Sequence, residues 1–198
     1  MSEYDPYNPL DKQNLGISIR DALLARPVHP LGDLSAFPGA GLYALYYTGD
    51  FPAYERLAKL NRDGQFRIPI YVGMADKATR KGATKAAQRQ LYDRLRKHAE
   101  SIKAVSNLLL KDFYCRFLVV DEIWIPLGET LLISKFSPVW NGLVDGFGNH
   151  DPGAGRYEGL CPRWDTLHPG RKWAEKCKKR QETAEQIETE IANFLSSL

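Results

Sequence analysis

The 198-residue sequence has few cysteines and no long hydrophobic run. Its three cysteines, Cys115, Cys161 and Cys177, are odd in number and lack C-x-x-C spacing, which argues against a disulfide framework and a zinc site. No apolar stretch approaches the roughly 20 residues that cross a bilayer. The start, "MSEYDPYNPLDKQ", lacks the basic and apolar segments of a secretory signal. We therefore expect a soluble, cytoplasmic protein with free thiols.

The charge is nearly balanced overall but unevenly distributed. A net charge of +3, with 43% hydrophobic and 26% charged residues, is typical of a globular protein, and the length predicts a single folding unit. Basic residues are concentrated between Asp76 and His98, and again between Arg163 and Arg180. Such an excess is expected where a protein touches a polyanion, although a charged run is more often a solvated face.

The stretch "FPGAGLYALYYTGD" first suggests a dinucleotide-binding loop. Gly39, Gly41 and Ala44 fit the G-x-G-x-x-G/A pattern, but that loop follows a strand and opens a helix. Here the glycines come first, and a tyrosine-rich segment from Leu42 to Thr48 follows them, which predicts a strand. This order argues against a nucleotide-dependent enzyme.

Periodicity and turn residues predict the remaining elements. Two further strands are expected, in "RIPIYVGMA" and "KDFYCRFLVVDEIWI". Basic residues 77–85 predict a loop, and residues 144–156 a glycine-rich loop. The predicted helices cover 17–25, a short amphipathic segment after Asp50, the segment bearing Leu91, Leu95, Ala99 and Ile102, Pro126–Phe136, and 172–195.

Two predicted strands each carry a tyrosine beside a glycine. Strand alternation places Tyr43, Leu45 and Tyr47 on one face and Leu42, Ala44 and Tyr46 on the other, while Tyr71 lies in "IYVG" on the second strand. Tyrosines in strands are usually core or interface residues whose hydroxyl finds a partner. The pattern alone therefore does not establish a site.

Four polar residues occur where their chemistry has two interpretations. Arg94 and His98, spaced i and i+4, project from one side of a helix, either exposed or with a guanidinium at a phosphate and an imidazole near a phenol. Glu129 shares the apolar face of a short helix with Phe136, where a carboxylate needs a cation, a hydrogen-bond donor or a metal. Asn141, in "SPVWN", ordinarily caps a turn.

Taken in order, these residues resemble the GIY-YIG nucleases. "GLYALYY", "IYVG", Arg94 with His98, Glu129 and Asn141 match the family's motifs across 39–141, about half of the chain, with conservative changes at the aliphatic positions. The resemblance implies an α+β fold with a small three-stranded antiparallel sheet flanked by helices, within one domain. That domain would comprise an N-terminal arm (1–38), a catalytic core (39–141) with an insertion at about 49–68, and a C-terminal loop and helix (142–198).

The resemblance also implies roles for the motif residues. Tyr43 would activate the attacking water with His98 accepting or relaying its proton, Tyr71 would orient the water or the phosphate, and Arg94 would neutralise transition-state charge. Glu129 would ligate one Mg²⁺, with Mn²⁺ as a substitute, and Asn141 would brace the site. A single metal-binding carboxylate favours a one-metal mechanism.

The tail, "NGLVDGFGNHDPGAGR" followed by "WDTLHPGRKWAEKC", looks like the restriction-endonuclease branch that cuts SacII-type sites, CCGCGG. This likeness implies double-stranded DNA as substrate, a homodimer, a cognate DNA methyltransferase as genetic partner and a bacterial host. Reading G·C pairs favours Arg or Lys on guanine and an acceptor on cytosine. The DNA-binding candidates are Lys77, Arg80, Lys81, Lys85, Arg89, Asn149, His150 and Arg156.

Two alternatives remain from the sequence. A structure-specific repair or homing nuclease would share the core with a different target, although the long linker of homing enzymes does not appear. A non-catalytic DNA-binding module would share only the fold, which the intact set of Tyr43, Arg94, His98 and Glu129 argues against.

Overall fold

The computed structural model describes residues 8, 10–76, 89–151, 153 and 157–196. Over these ranges the chain forms six α-helices and four strands. The helices are α1 (Lys12–Leu24), α2 (Glu55–Asn61), α3 (Gln90–Ala104), α4 (Ile125–Phe136), α5 (Arg163–Leu167) and α6 (Ala184–Leu195), and the strands are β1 (His29–Pro30), β2 (Gly41–Tyr47), β3 (Tyr71–Ala75) and β4 (Phe113–Val119).

The strands form one antiparallel sheet in the order β1-β4-β2-β3. In its register Tyr43 lies between Gly73 of β3 and Phe117 of β4. The predicted α+β class with a small antiparallel sheet is confirmed. The sheet has a fourth strand that the sequence analysis did not predict. The two residues of β1 pair with Tyr114 and Cys115 near the start of β4.

The two faces of β2 belong to different hydrophobic clusters, as strand alternation predicts. Tyr43, Leu45 and Tyr47 pack with α2, α3 and the C-terminal segment, whereas Leu42 and its neighbours on the other face pack with α1 and α4. Every residue of β2 is buried. The sheet is therefore covered by helices on both sides, and the face bearing Tyr43 is the one that α3 covers.

The entry to β2 depends on Gly41. Its φ of 152° lies in a region that L-residues with side chains rarely adopt, and a Cβ atom there would lie 2.1 Å from the carbonyl oxygen of Leu118. The glycine thus allows β2 to start tightly against β4. This arrangement fixes where Tyr43, two residues later, projects from the sheet.

The helices that flank the site follow their apolar patterns. The predicted stripe on α3, Leu91, Leu95, Ala99 and Ile102, is buried. The helix α4 begins with Pro126 in its first turn and ends where Ser137 adopts a left-handed conformation before Pro138. These two helices approach the sheet from opposite faces.

Two helix boundaries differ from the prediction. Helix α1 begins at Lys12 and not at Ile17, because the Asp11 side chain accepts a hydrogen bond from the Gln13 amide and caps an earlier turn. The C-terminal helix begins at Ala184 and not near Lys172, because Thr183 and Gln186 form a reciprocal capping box. The segment before it holds only a short 3-10 turn at Ala174–Lys176.

The flanking segments are part of the core. Leu23 of α1 is fully buried, and α6 buries Ile187, Ile191 and Leu195. The insertion after β2 folds as a 3-10 turn, Pro52–Tyr54, and α2. The three cysteines are free thiols, as expected. In the described residues, no helix is both long enough and apolar enough to span a membrane.

Candidate active site

The Tyr43 and His98 side chains contact each other between the sheet and α3. The hydroxyl oxygen of Tyr43 lies 2.6 Å from Nε2 of His98, and both side chains are almost completely buried. Residue alternation on β2 directs Tyr43 toward α3, and the four-residue spacing on α3 places His98 one turn after Arg94. The phenol and imidazole predicted from separate motifs therefore form one hydrogen-bonded pair.

The positive charge of Arg94 acts on this pair. It opposes the rise in the pKa of Tyr43 and of Tyr71. A Tyr43 phenol donates its hydrogen to His98 when the imidazole carries its own proton on Nδ1. Nε2 of His98 is then the unprotonated nitrogen of a neutral imidazole.

The environment favours the uncharged form of both partners. Burial raises the pKa of Tyr43 well above its ordinary value of 10.0, with Tyr71 adding to the rise and Arg94 opposing it. Burial also lowers the pKa of His98 well below 6.5, with the positive charge of Arg94 as the next cause. At neutral pH the resting pair is a phenol and a neutral imidazole.

Space for the Tyr43 hydroxyl is left by Gly73 on the neighbouring strand. A Cβ atom at this position would lie 2.3 Å from the Tyr43 oxygen, closer than atoms can approach. The glycine of "IYVG" is therefore needed for steric reasons, which the sequence analysis did not predict. It lets two strands pack side by side while a phenol reaches across them.

Tyr71 lies beside this pair on β3. Its ring centroid is 6.2 Å from that of Tyr43 and 5.4 Å from that of His98. Burial raises its pKa, while Arg94 lowers it. The charge of Arg94 thus acts on both motif tyrosines, and Tyr71 retains some exposure to solvent.

Glu129 approaches the same region from the opposite face of the sheet. The carboxylate is half-buried on α4, and burial raises its pKa while a backbone hydrogen bond from Met74 and the charge of Arg94 lower it. Met74 also lines an open groove of about 300 Å³, together with Ala75, Asp76, Gln90, Asp93, Arg94 and Lys97. The groove gives a polyanion access to Arg94.

The described residues suit a cation held largely by water and substrate. They contain no cluster of three or more His, Cys, Asp or Glu side chains that could enclose a metal ion. Glu129 is one carboxylate next to an open groove. Mg²⁺ is commonly bound through one or two carboxylates plus waters and phosphate oxygens, so this donor set fits it.

Asn141 stabilises the edge strand β3, which carries Tyr71. Its amide accepts a hydrogen bond from the Val72 nitrogen at 2.8 Å and donates one to the Val72 oxygen at 2.7 Å. The strand β3 is at the edge of the sheet, so these bonds replace those of a missing neighbour. The side chain holds Tyr71 and Gly73 in register and does not itself contact the Tyr43–His98 pair.

Residues 146–150, here called the 146–150 loop, bring two side chains to the site. The Phe147 ring is stacked on His98, with centroids 4.5 Å apart and an interplanar angle of 17°. Nε2 of His150 lies 2.9 Å from Nη1 of Arg94. His150 was predicted as a DNA-binding residue, and it lies against Arg94. Phe147 was not predicted, and its only signal was a single aromatic residue between two glycines.

The other predicted DNA-binding residues are more scattered. Arg89 is exposed at the start of α3, with its guanidinium 5.9 Å from the Tyr92 ring. Asn149 is exposed in the 146–150 loop, next to His150. Lys77, Arg80, Lys81, Lys85 and Arg156 lie outside the described residues.

The fold and the convergence of Tyr43, Tyr71, Arg94, His98 and Glu129 have the form of a GIY-YIG nuclease. The chain matches the family model described as the Eco29kI GIY-YIG domain over residues 35–195. It therefore belongs to this family, and it is a restriction-type nuclease that binds DNA. A comparison with curated proteins finds no match.

Proposed function

We propose that this protein is a Mg²⁺-dependent type II restriction endonuclease that cuts both strands of double-stranded DNA at a palindromic G·C-rich site, CCGCGG. Family membership supports restriction-type cleavage. The observation that carries the mechanism is the buried contact between the Tyr43 hydroxyl and Nε2 of His98, 2.6 Å long. It supplies a path for the proton that the attacking water must lose.

Tyr43 accepts the water proton as it transfers its own proton to His98. A resting phenolate is unfavourable, since the pKa of Tyr43 is raised by burial. In a concerted relay the phenol never carries a full charge, and the excess proton ends on Nε2 of His98. The water oxygen bonds to phosphorus, the bond from phosphorus to the 3′ oxygen breaks, and the 3′ oxygen becomes a hydroxyl by taking a proton from solvent.

The substrate makes this relay more favourable than it is in the free protein. Burial lowers the pKa of His98, and the charge of Arg94 lowers it further. A phosphate placed at Arg94 adds negative charge that offsets the guanidinium, and so raises the pKa of His98. Proton transfer is thereby coupled to DNA binding.

Arg94 and Tyr71 act on the phosphate itself. Arg94 lines the open groove and is half-buried, so its charge is exerted in a partly desolvated site where hydrogen bonds to an anion are strong. It neutralises charge that develops on the phosphorane oxygens. Tyr71, next to Tyr43, orients the water or the scissile phosphate, and Asn141 keeps Tyr71 in place through β3.

Glu129 is the residue that would hold Mg²⁺. A bound Mg²⁺ would supply Lewis-acid stabilisation of the phosphate and of the leaving 3′ oxygen. Mn²⁺, which also favours oxygen ligands, is expected to substitute. We assign one metal per site, because Glu129 is the one carboxylate among the motif residues.

A palindromic duplex target calls for a two-fold homodimer in which each subunit cuts one strand. The N-terminal arm (1–38) and the exposed face of α6 are assigned to dimer or clamp contacts, since the apolar face of α6 is buried in its own core. Arg89, Asn149 and His150, with the basic residues of 77–88, are assigned to the DNA. A cognate methyltransferase would protect host sites in the bacterial cytoplasm.

Digestion of a supercoiled plasmid tests this function. With Mg²⁺ or Mn²⁺ the protein should linearise a plasmid that carries one CCGCGG site, and sequenced ends should map to that site. A plasmid with one base pair of the site changed is the matched control and should stay intact. Cleavage at branched structures would indicate a repair enzyme, whereas DNA binding without any cleavage would indicate a non-catalytic module.

A further inference from the structure

The 146–150 loop touches three of the proposed catalytic side chains. Phe147 is stacked on His98 and His150 contacts Arg94. A Cβ atom at Gly148 would lie 2.9 Å from the Tyr71 hydroxyl, so the loop backbone runs directly against that phenol. The loop is neither helix nor strand. A backbone hydrogen bond from Asn149 to Gly146 and the packing of Phe147 on Trp140 and Trp164 hold it in part.

One buried arginine binds the loop through three of its carbonyl groups. Arg171 is 4% exposed, and its Nη1 donates to the carbonyl oxygens of Phe147 and Asn149 at 3.1 and 3.0 Å. Its Nη2 donates to the Gly146 carbonyl at 2.9 Å. Three carbonyl groups of the loop thus converge on a single guanidinium.

The remaining donors of Arg171 bind Asp165. Nε and Nη2 lie 2.6 and 2.5 Å from the two carboxylate oxygens, and the Asp165 side chain is 2% exposed. All five N–H groups of the guanidinium therefore have an acceptor. The Trp164 and Trp173 rings lie 4.5 and 4.8 Å from its central carbon, which fixes its plane.

We propose that the Arg171–Asp165 pair positions the catalytic groups by holding the 146–150 loop against His98, Tyr71 and Arg94. Neither residue reaches the reacting atoms, so both are positioning residues. The inference rests on the proposed roles of Tyr43, His98 and Arg94 in DNA cleavage. The three carbonyl hydrogen bonds link the pair to the segment that touches the site.

Arg171→Lys separates positioning from charge. Lysine keeps the positive charge for Asp165 but has a single ammonium group, which cannot reproduce the planar fork that binds three carbonyls and a carboxylate. We expect the folded variant to bind DNA like the wild type and to cleave it about 10²-fold more slowly in single turnover, the loss expected when reacting groups shift by about 1 Å. Amide exchange should rise in the 146–150 loop.

Asn61→Ala is the matched control for lost stability. Asn61 is also fully buried, and its hydrogen bonds go to Tyr47 and Ile68 and not to the loop. This variant should melt at a lower temperature yet cleave within about twofold of the wild type below its transition, since the reacting groups keep their geometry. If Arg171→Lys does not fold, Arg171→Gln/Asp165→Asn removes both charges together and takes its place.

Two results would overturn the inference. One is wild-type cleavage by the folded Arg171 variant, and the other is an equal loss of rate in Asn61→Ala. Failure of the proposed function looks different, because then the wild-type protein itself would not cut DNA, or Tyr43→Phe would cut as fast as the wild type.

Discussion

Burial opposes charge on both members of the Tyr43–His98 pair, and this is the central physical fact at the scale of single residues. The pKa of Tyr43 is raised and that of His98 is lowered, in each case mainly by burial. A Tyr43 phenolate facing a His98 imidazolium is therefore a poor resting state. The pair is suited to transferring a proton once a phosphate is bound, and not to holding separated charges in the free protein.

The carboxylate of Glu129 has a separate task, and its removal should separate cleavage from binding. Glu129→Ala should abolish Mg²⁺-dependent cutting while leaving specific DNA binding largely intact, because the side chain is assigned to the metal and not to base reading. Binding is measured by gel shift in Ca²⁺, and cleavage by single turnover in Mg²⁺. Glu55→Ala, at an exposed position on α2, is the control. Retained cutting would remove Glu129 from the site.

A second buried histidine makes stability depend on pH. Nε2 of His168 accepts from the Tyr54 hydroxyl and its Nδ1 donates to Asn107, and burial lowers its pKa to about 3. The pKa of His168 in the folded protein lies below its unfolded value of about 6.5. Its contribution to the free energy of unfolding is therefore complete above pH 6.5 and is lost as the pH falls toward 3. His98 acts in the same direction.

We expect the free energy of unfolding to fall with decreasing pH below about 6.5, by up to about 1.4 kcal/mol per pH unit for each histidine. His168→Gln retains hydrogen-bonding groups but cannot titrate, so it should flatten the dependence. Urea denaturation at several pH values measures the slope. Identical slopes for the two proteins would contradict the assignment of His168.

Chemical types could be predicted at this scale, but contacts could not. Tyr43, Arg94, His98 and Glu129 were predicted because each stands in a short motif of fixed spacing. Phe147 and Arg171 are separated from those motifs along the chain, and only tertiary packing brings them to the site.

At the scale of elements, β2 and β3 must lie close enough for a phenol on one strand to occupy the place of a side chain on the other. Gly73→Ala should displace the Tyr43 hydroxyl, because the added Cβ would lie 2.3 Å from it. We expect single-turnover cleavage to fall by about 10²-fold, as for other misplaced reacting groups.

The control for this substitution is Gly142→Ala. Gly142 is exposed, and a Cβ atom there would meet nothing within 4 Å. It should leave the cleavage rate unchanged. Comparable rates for the two alanine variants would show that the Tyr43 hydroxyl does not need the space beside Gly73.

Elements were best predicted where local pattern and tertiary contacts agree. The strand β2 was predicted at Leu42–Thr48 and found at Gly41–Tyr47, because its alternating faces both pack on helices. The C-terminal helix was predicted to begin at about Lys172, whereas the apolar positions that predicted it begin only at Ala184, where the helix starts. Before that position, Cys161 and Lys178 instead join two extended segments through a backbone hydrogen bond, and Arg180 donates to the Cys161 carbonyl.

At the scale of the whole molecule, the sheet separates two contributions to the site. The helix α3 supplies Arg94 and His98 from one face, and α4 supplies Glu129 from the other. Of these three residues, Arg94 lines the groove beside β3. The local excess of basic residues belongs to the chain that joins β3 to α3.

The basic segment 77–89 should then contribute to DNA affinity through phosphates. Replacing Lys81 and Lys85 with glutamine should lower affinity and reduce the slope of log affinity against log salt by roughly one for each phosphate that the protein no longer neutralises. The comparison variant is Lys59→Gln, an exposed lysine on α2 that is paired with Glu55. An unchanged slope would mean that the charges at 81 and 85 are merely solvated.

The most direct test of the account is single-turnover cleavage by Tyr43→Phe beside Tyr47→Phe. Both tyrosines are buried on the same face of β2, but Tyr43 contacts His98 whereas Tyr47 accepts a hydrogen bond from the Phe51 amide. Tyr43→Phe should bind DNA normally and cleave it about 10²-fold to 10⁴-fold more slowly, as expected for loss of general base catalysis. Tyr47→Phe should cleave at nearly the wild-type rate. Equal slowing of both variants, or wild-type cleavage by Tyr43→Phe, would contradict the mechanism.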